Sequence, residues 1–154
     1  MNRIFSTLLL ATGLLAASAC SKTSDSMAPA AVALPAVSGT FSGAQESPAV
    51  PTSATGSFAG TFDKATRELR YTVTFTGLTP VAAHLHLGAP GMGGAVFLTF
   101  PKNNATSDGY NSPIVGTSTL TQAQAAALLA NGVYANMHTP TNPGGEIRAD
   151  LTVK

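Results

Sequence analysis

From Glu68 to Thr76 the chain alternates strictly. Leu69, Tyr71, Val73 and Phe75 fall on one side of an extended backbone, and Arg70, Thr72, Thr74 and Thr76 fall on the other. Side chains leave a strand with a period of two, so this pattern predicts a strand with one buried face. Such a strand needs neighbours, because a lone strand leaves its backbone groups unpaired. Thr55–Phe62 supplies one, with Phe58, Gly60 and Phe62 alternating with small polar residues. Asp63-Lys64-Ala65-Thr66 is the expected turn between the two.

Further strands are expected at Val81–Leu87, Gly94–Phe100, Ile114–Ser118, Val133–His138 and Glu146–Val153. The Gly/Pro segment Gly88–Gly93 and the polar segment 101–112 separate them. Short strands at this spacing predict an all-β sandwich or barrel. One segment breaks the rule. Thr121–Asn131 is rich in helix formers, and Thr121 with Gln124 three residues on fits a capping box. It predicts a short helix ending near Gly132 and packed by Leu128 and Leu129.

Composition narrows the function. Charged residues make up 10% of the chain and the formal net charge is +1, from 8 basic and 7 acidic side chains. Scattered cations in that number build no large basic face, so a nucleic-acid partner is not expected. The single cysteine excludes a disulfide scaffold or a zinc ribbon. The sequence has no G-x-S-x-G elbow, and Gly88–Gly94 lacks the spacing and the lysine of a phosphate loop. No catalytic constellation is evident.

Three histidines carry the remaining chemistry. His84 and His86 are two apart on an expected strand, so both face away from Ala83, Leu85 and Leu87. On a later strand His138 shares its face with Tyr134 and Asn136, opposite Val133, Ala135 and Met137. If the two strands are neighbours, three imidazoles converge. Imidazole binds Zn, Cu, Fe and Ni, and three such ligands with an open position make a mononuclear site. Without an ion, the same residues would serve as hydrogen-bonding groups at a loop end. Glu146 and Arg148 face outward with Asp150 on the last strand. They are expected either to orient the histidines or to form a solvated charged face of weak neighbour pairs, and an Arg flanked by two acids also suggests a structural role such as tying down the 139–145 loop.

The N-terminus reads as a targeting segment. Arg3 precedes an apolar stretch, Ile4 to Ala17, which is followed by small residues up to Ala19. Residues 1–19 are expected to be a signal peptide. Cys20 follows directly and resembles the acylated cysteine of a bacterial lipoprotein, with Ala17 where leucine is usual. Loss of Arg3 leaves seven basic and seven acidic side chains. Residues 20–38, rich in Ser, Ala and Pro, are expected to be a lipidated flexible tether, with the folded domain at 39–154. The expected location is the cell envelope, as an outer-membrane lipoprotein facing periplasm or exterior, with the membrane engaged through Cys20.

Three blocks resemble the CHRD domain family, in that family's order: Phe41–Val50, Ala82–Gly94 and Gly132–Leu151. The matching residues are Gln45, Glu46 and Pro48; His84 and His86; Tyr134, Asn136 and His138; and Gly145, Glu146, Ile147 and Arg148. Ala149-Asp150 stands where Gly-Gln is usual. The resemblance implies an immunoglobulin-like, Greek-key β-sandwich or barrel and no settled enzymatic activity. The expected function is a monomeric envelope binding module for a protein or polysaccharide partner. The alternative is a protein that binds one Cu or Zn. The His-x-His strand is also similar to that of Cu,Zn superoxide dismutase, but three histidines cannot complete the dismutase's second metal half.

Overall fold

The computed structural model of the chain describes residues 33–104 and 109–154. The expected signal peptide, Cys20 and most of the expected tether lie outside the described residues. The strands are β1 (Ala36–Ser42), β2 (Thr55–Asp63), β3 (Glu68–Thr76), β4 (Ala82–Leu87), β5 (Val96–Thr99), β6 (Ile114–Thr119), β7 (Val133–His138), β8 (Ile147–Asp150) and β9 (Thr152–Val153). Among the described residues one α-helix, α1 (Gln122–Leu129), interrupts them between β6 and β7.

All strands join one antiparallel sheet in the order β5-β4-β7-β8-β1-β2-β3-β6, with β9 also pairing β1. The sheet curls into a half-barrel, as the all-β expectation required. Strands β3 and β4 are consecutive in sequence yet lie near opposite edges. The concave side holds one core that includes Phe41, Phe58, Phe62, Leu69, Leu85, Ile114, Met137 and Ile147, each at most 1% exposed. Burying a side chain of this size contributes about 1.5–3 kcal/mol. Phe58, Tyr71 and Phe100 form a triangular cluster, with Tyr71 5.6 and 5.1 Å from the two phenylalanine ring centroids.

Several boundaries differ from expectation. The fold begins at Ala36, not Gly39, because Val37 buries against the core and pairs with Val153. The last three residues of the expected tether are therefore part of β1. The strand expected over 94–100 shrinks to Val96–Thr99. The last strand is broken at Leu151, which turns its amide to Val133 while its side chain enters the core.

The helix has its expected capping box: Gln124 N–H donates to Thr121 Oγ1, and Thr121 N–H donates to Gln124 Oε1. Its end differs. Asn131, at φ 56°, takes the left-handed position that was expected of Gly132. Leu128 is fully buried, whereas Leu129 is 41% exposed and packs the helix little.

Candidate metal centre

The site lies on the convex side of β4, β7 and β8. Register places His84 opposite Asn136 and Asn136 opposite Arg148, with His86 opposite Tyr134 and Tyr134 opposite Asp150. His138 pairs with Ala82 at the end of β4. The two histidine-bearing strands are thus direct neighbours, and one nitrogen from each of His84, His86 and His138 lies within 4.8 Å of the others.

This convex side is no solvated face. His86 is 7% exposed, Asn136 3% and Arg148 1%. Three loops cover it: the segment from the 3-10 turn Gly43–Gln45 to Val50, the loop 88–94, and the loop 139–145. Their residues form a second, polar layer above the sheet. The solvated charged face considered for Arg148 is therefore incorrect: loops without hydrophobic periodicity bury it.

Arg148 ties this layer together. Its Nε and Nη2 donate to Asp150 Oδ1 at 2.8 and 2.7 Å. Nη1 donates to Met92 O and Nη2 to Ala89 O, so one guanidinium holds the 88–94 loop by two carbonyls. The same guanidinium sits 3.6 Å over the Tyr134 ring, and Tyr134 stacks on His86 at 4.6 Å. Gly94 closes the circuit. Its N–H donates to Tyr134 Oη and its carbonyl faces His86 Nδ1 at 3.0 Å. A Cβ at position 94 would overlap the Leu87 carbonyl, so glycine is required there.

Glu146 does not pair with Arg148. Its carboxylate accepts from Thr139 Oγ1 at 2.6 Å and from Thr52 Oγ1 at 2.9 Å, and these bonds hold its carboxyl below the usual range. Through Thr139 it ties the start of the 139–145 loop to β8. That loop in turn presents Pro143 O to His138 Nδ1 at 3.0 Å.

Two of the histidines have their tautomers set by backbone carbonyls. A peptide carbonyl only accepts, so Nδ1 carries the proton in both His86 and His138. This leaves Nε2 as the lone-pair nitrogen of each neutral ring. Metal-bound imidazoles usually donate their second N–H in this way, which fixes ring and tautomer. His84 Nδ1 lies 3.1 Å from His138 Nε2. Burial, followed by the neighbouring imidazoles, lowers the His84 pKa; burial is also the leading cause that lowers His138. Both effects favour the uncharged form that a metal needs. Ligands at about 2.0–2.1 Å around one tetrahedral ion stand about 3.3–3.4 Å apart. The His84–His138 pair, at 3.1 Å, stands just inside that spacing, and the His86 ligand nitrogen lies within 4.8 Å of both.

Sequence reasoning missed two residues. Glu46 was visible only as part of a family motif, yet its carboxyl is drawn into the polar layer. Burial raises it to about 7, against the lowering influence of Arg148 and the Asn136 amide; Asp150 adds to the rise. Its Oε1 is buried with no hydrogen-bond partner. Gln45 was also unassigned. Its Nε2 donates to Thr40 O and its Oε1 accepts from Asp150 N, filling the gap where β8 leaves β1.

A family model described as the CHRD domain matches residues 37–151. No curated protein and no solved structure matches the chain. The three resembling blocks, distant in sequence, are the segments that build the polar layer.

Proposed function

The chain belongs to the CHRD domain family, and from that premise we propose that it is a cell-envelope module that holds one Cu or Zn ion on His84, His86 and His138. One observation carries the proposal: three imidazoles meet on adjacent strands, and two of them face a backbone carbonyl with Nδ1. A bound Cu or Zn would supply Lewis-acid or, for Cu, redox chemistry. The chain's own residues supply orientation. Gly94 and Pro143 set two tautomers, and the Arg148–Tyr134 stack fixes the plane of His86. Acylation of Cys20, with residues 21–35 as the tether, would hold this module at the outer membrane.

A second reading has its own support. His84 Nδ1–H can donate to His138 Nε2, which satisfies that pair without any ion. The domain would then bind a protein or polysaccharide partner, with the histidines as structural groups.

Metal analysis separates the two. Full-length protein, purified in detergent without a histidine tag, is expected to bind one equivalent of Cu or Zn, and His86→Ala to abolish stoichiometric uptake. Only adventitious metal in the wild type would reject the metal reading and leave the partner-binding one. The anchor is tested separately: Cys20→Ser should move the protein into the soluble fraction, and continued membrane association would refute acylation.

A further inference from the structure

The contact between His86 and Asn136 does not balance as a neutral pair. His86 Nδ1 faces the Gly94 carbonyl at 3.0 Å, so its proton is on Nδ1 and a neutral ring has a lone pair at Nε2. Asn136 Oδ1 lies 3.0 Å from that Nε2. Oxygen and nitrogen lone pairs then oppose each other in a place where His86 is 7% and Asn136 3% exposed. Such a contact is repulsive unless a positive centre, a second ring proton or a metal ion, lies between the two atoms. An ion about 2.0–2.2 Å from each atom would satisfy both, at an angle a little over a right angle.

Turning the amide over would give His86 a donor but would aim the amide oxygen at Glu46. Asn136 Nδ2 and Glu46 Oε1 crowd one small space. They lie 2.7 and 2.5 Å from the point a Cβ on residue 145 would occupy. Glycine at 145, at φ +133°, leaves that space open. Glu46 Oε1 is buried there without a partner. Once ionised, as above its raised pKa of about 7 or beside a bound cation, Glu46 attracts the amide NH2 and repels its oxygen, and so selects the orientation that turns Oδ1 to His86. Arg148 and Asp150 are the other charged groups that act on Glu46.

Resting on the metal reading above, we infer that Asn136 Oδ1 is a fourth protein donor at the three-histidine site, with Glu46 as the residue that positions it. The donor set is then three nitrogens and one oxygen. The Glu46 carboxylate, behind the amide, offsets the charge of a divalent ion held by four neutral ligands.

Co2+ is the probe, since its visible absorption is strong when four-coordinate and weak when water raises the coordination number. Full-length protein in detergent, without a histidine tag, should bind one Co2+ with a strong visible band. Asn136→Ala should weaken and shift that band and lower Zn affinity about tenfold or more. Asn136→Asp, which restores an oxygen, should recover both. A folded Asn136→Ala variant with an unchanged band and Zn affinity within about twofold would overturn the inference and leave the metal reading standing. Absence of bound metal in the wild type would overturn both. Should Asn136→Ala not fold, the wild-type protein decides by NMR. The Asn136 side-chain amide signal should move with the histidine signals during a Zn titration, and a stationary amide overturns the assignment.

Discussion

Single residues carry the polar layer, and their removal should be costly. Arg148 offers the clearest case: it is 1% exposed and bonded to Asp150 and to two loop carbonyls. Arg148→Met should destabilise the domain by about 3–5 kcal/mol, because it leaves a carboxylate and two carbonyls without their donor. Urea denaturation monitored by circular dichroism measures it, and a loss under 1 kcal/mol would show that the layer does not depend on this residue. Gly145→Ala tests the other side of the layer. The backbone is at φ +133° and the methyl group would meet Glu46 and Asn136, so a loss of about 1–3 kcal/mol is expected by the same assay. The sequence made the facing of His84, His86 and His138 legible through the period of two. It did not make the burial of Arg148 or Glu46 legible. Their cover comes from loops 43–50, 88–94 and 139–145, whose glycines and prolines give no periodic signal.

At the level of elements, local pattern and tertiary demand can be told apart. Strands β3 and β7 match their expected limits from end to end, because each alternates without interruption. Strand β1 escaped notice because Gly39 stands where an inward apolar side chain would complete Val37 and Phe41; a Cβ there would press on Leu151. The break at Leu151 was equally hidden, since it depends on Gln45 and Val133, which are distant in sequence. Helix α1 was legible through its cap. Thr121→Ala should cost about 1 kcal/mol by removing the Oγ1 acceptor for the Gln124 amide. Thr121→Ser should keep most of it. Equal thermal midpoints for the two variants would mean the cap adds nothing to the folded domain.

For the whole molecule, two sets of titrating groups pull stability in opposite directions with pH. Glu46 sits at about 7 in the fold against an ordinary value of 4.5, so the folded state keeps a proton that the unfolded chain releases between those values. Its contribution is full below pH 4.5 and is lost as pH rises through about 7. For a carboxyl only half buried, screening by solvent reduces this to about 1–2 kcal/mol. His84 and His138 are lowered, so their contribution is present above pH 6.5 and is lost as pH falls. In metal-free protein, Glu46→Gln should flatten the decline between pH 4.5 and 7 and leave the acid-side loss from the histidines. Chemical denaturation across pH 4–8 in the presence of a chelator checks this. An unchanged slope in the variant would place the titration elsewhere.

The first and last strands of the sheet are partners. Ala36 N–H donates to Lys154 O, and Lys154 N–H donates to Ala36 O, both at 2.9 Å. The polypeptide thus enters and leaves the domain at one doorway. A unit built this way can be spliced into a surface loop of a host protein without stretching either. It can also be rewired. Joining residue 154 to residue 36 through a short Gly/Ser linker and reopening the chain between Lys64 and Ala65, both exposed, should give a circular permutant with the same sheet and the same polar layer.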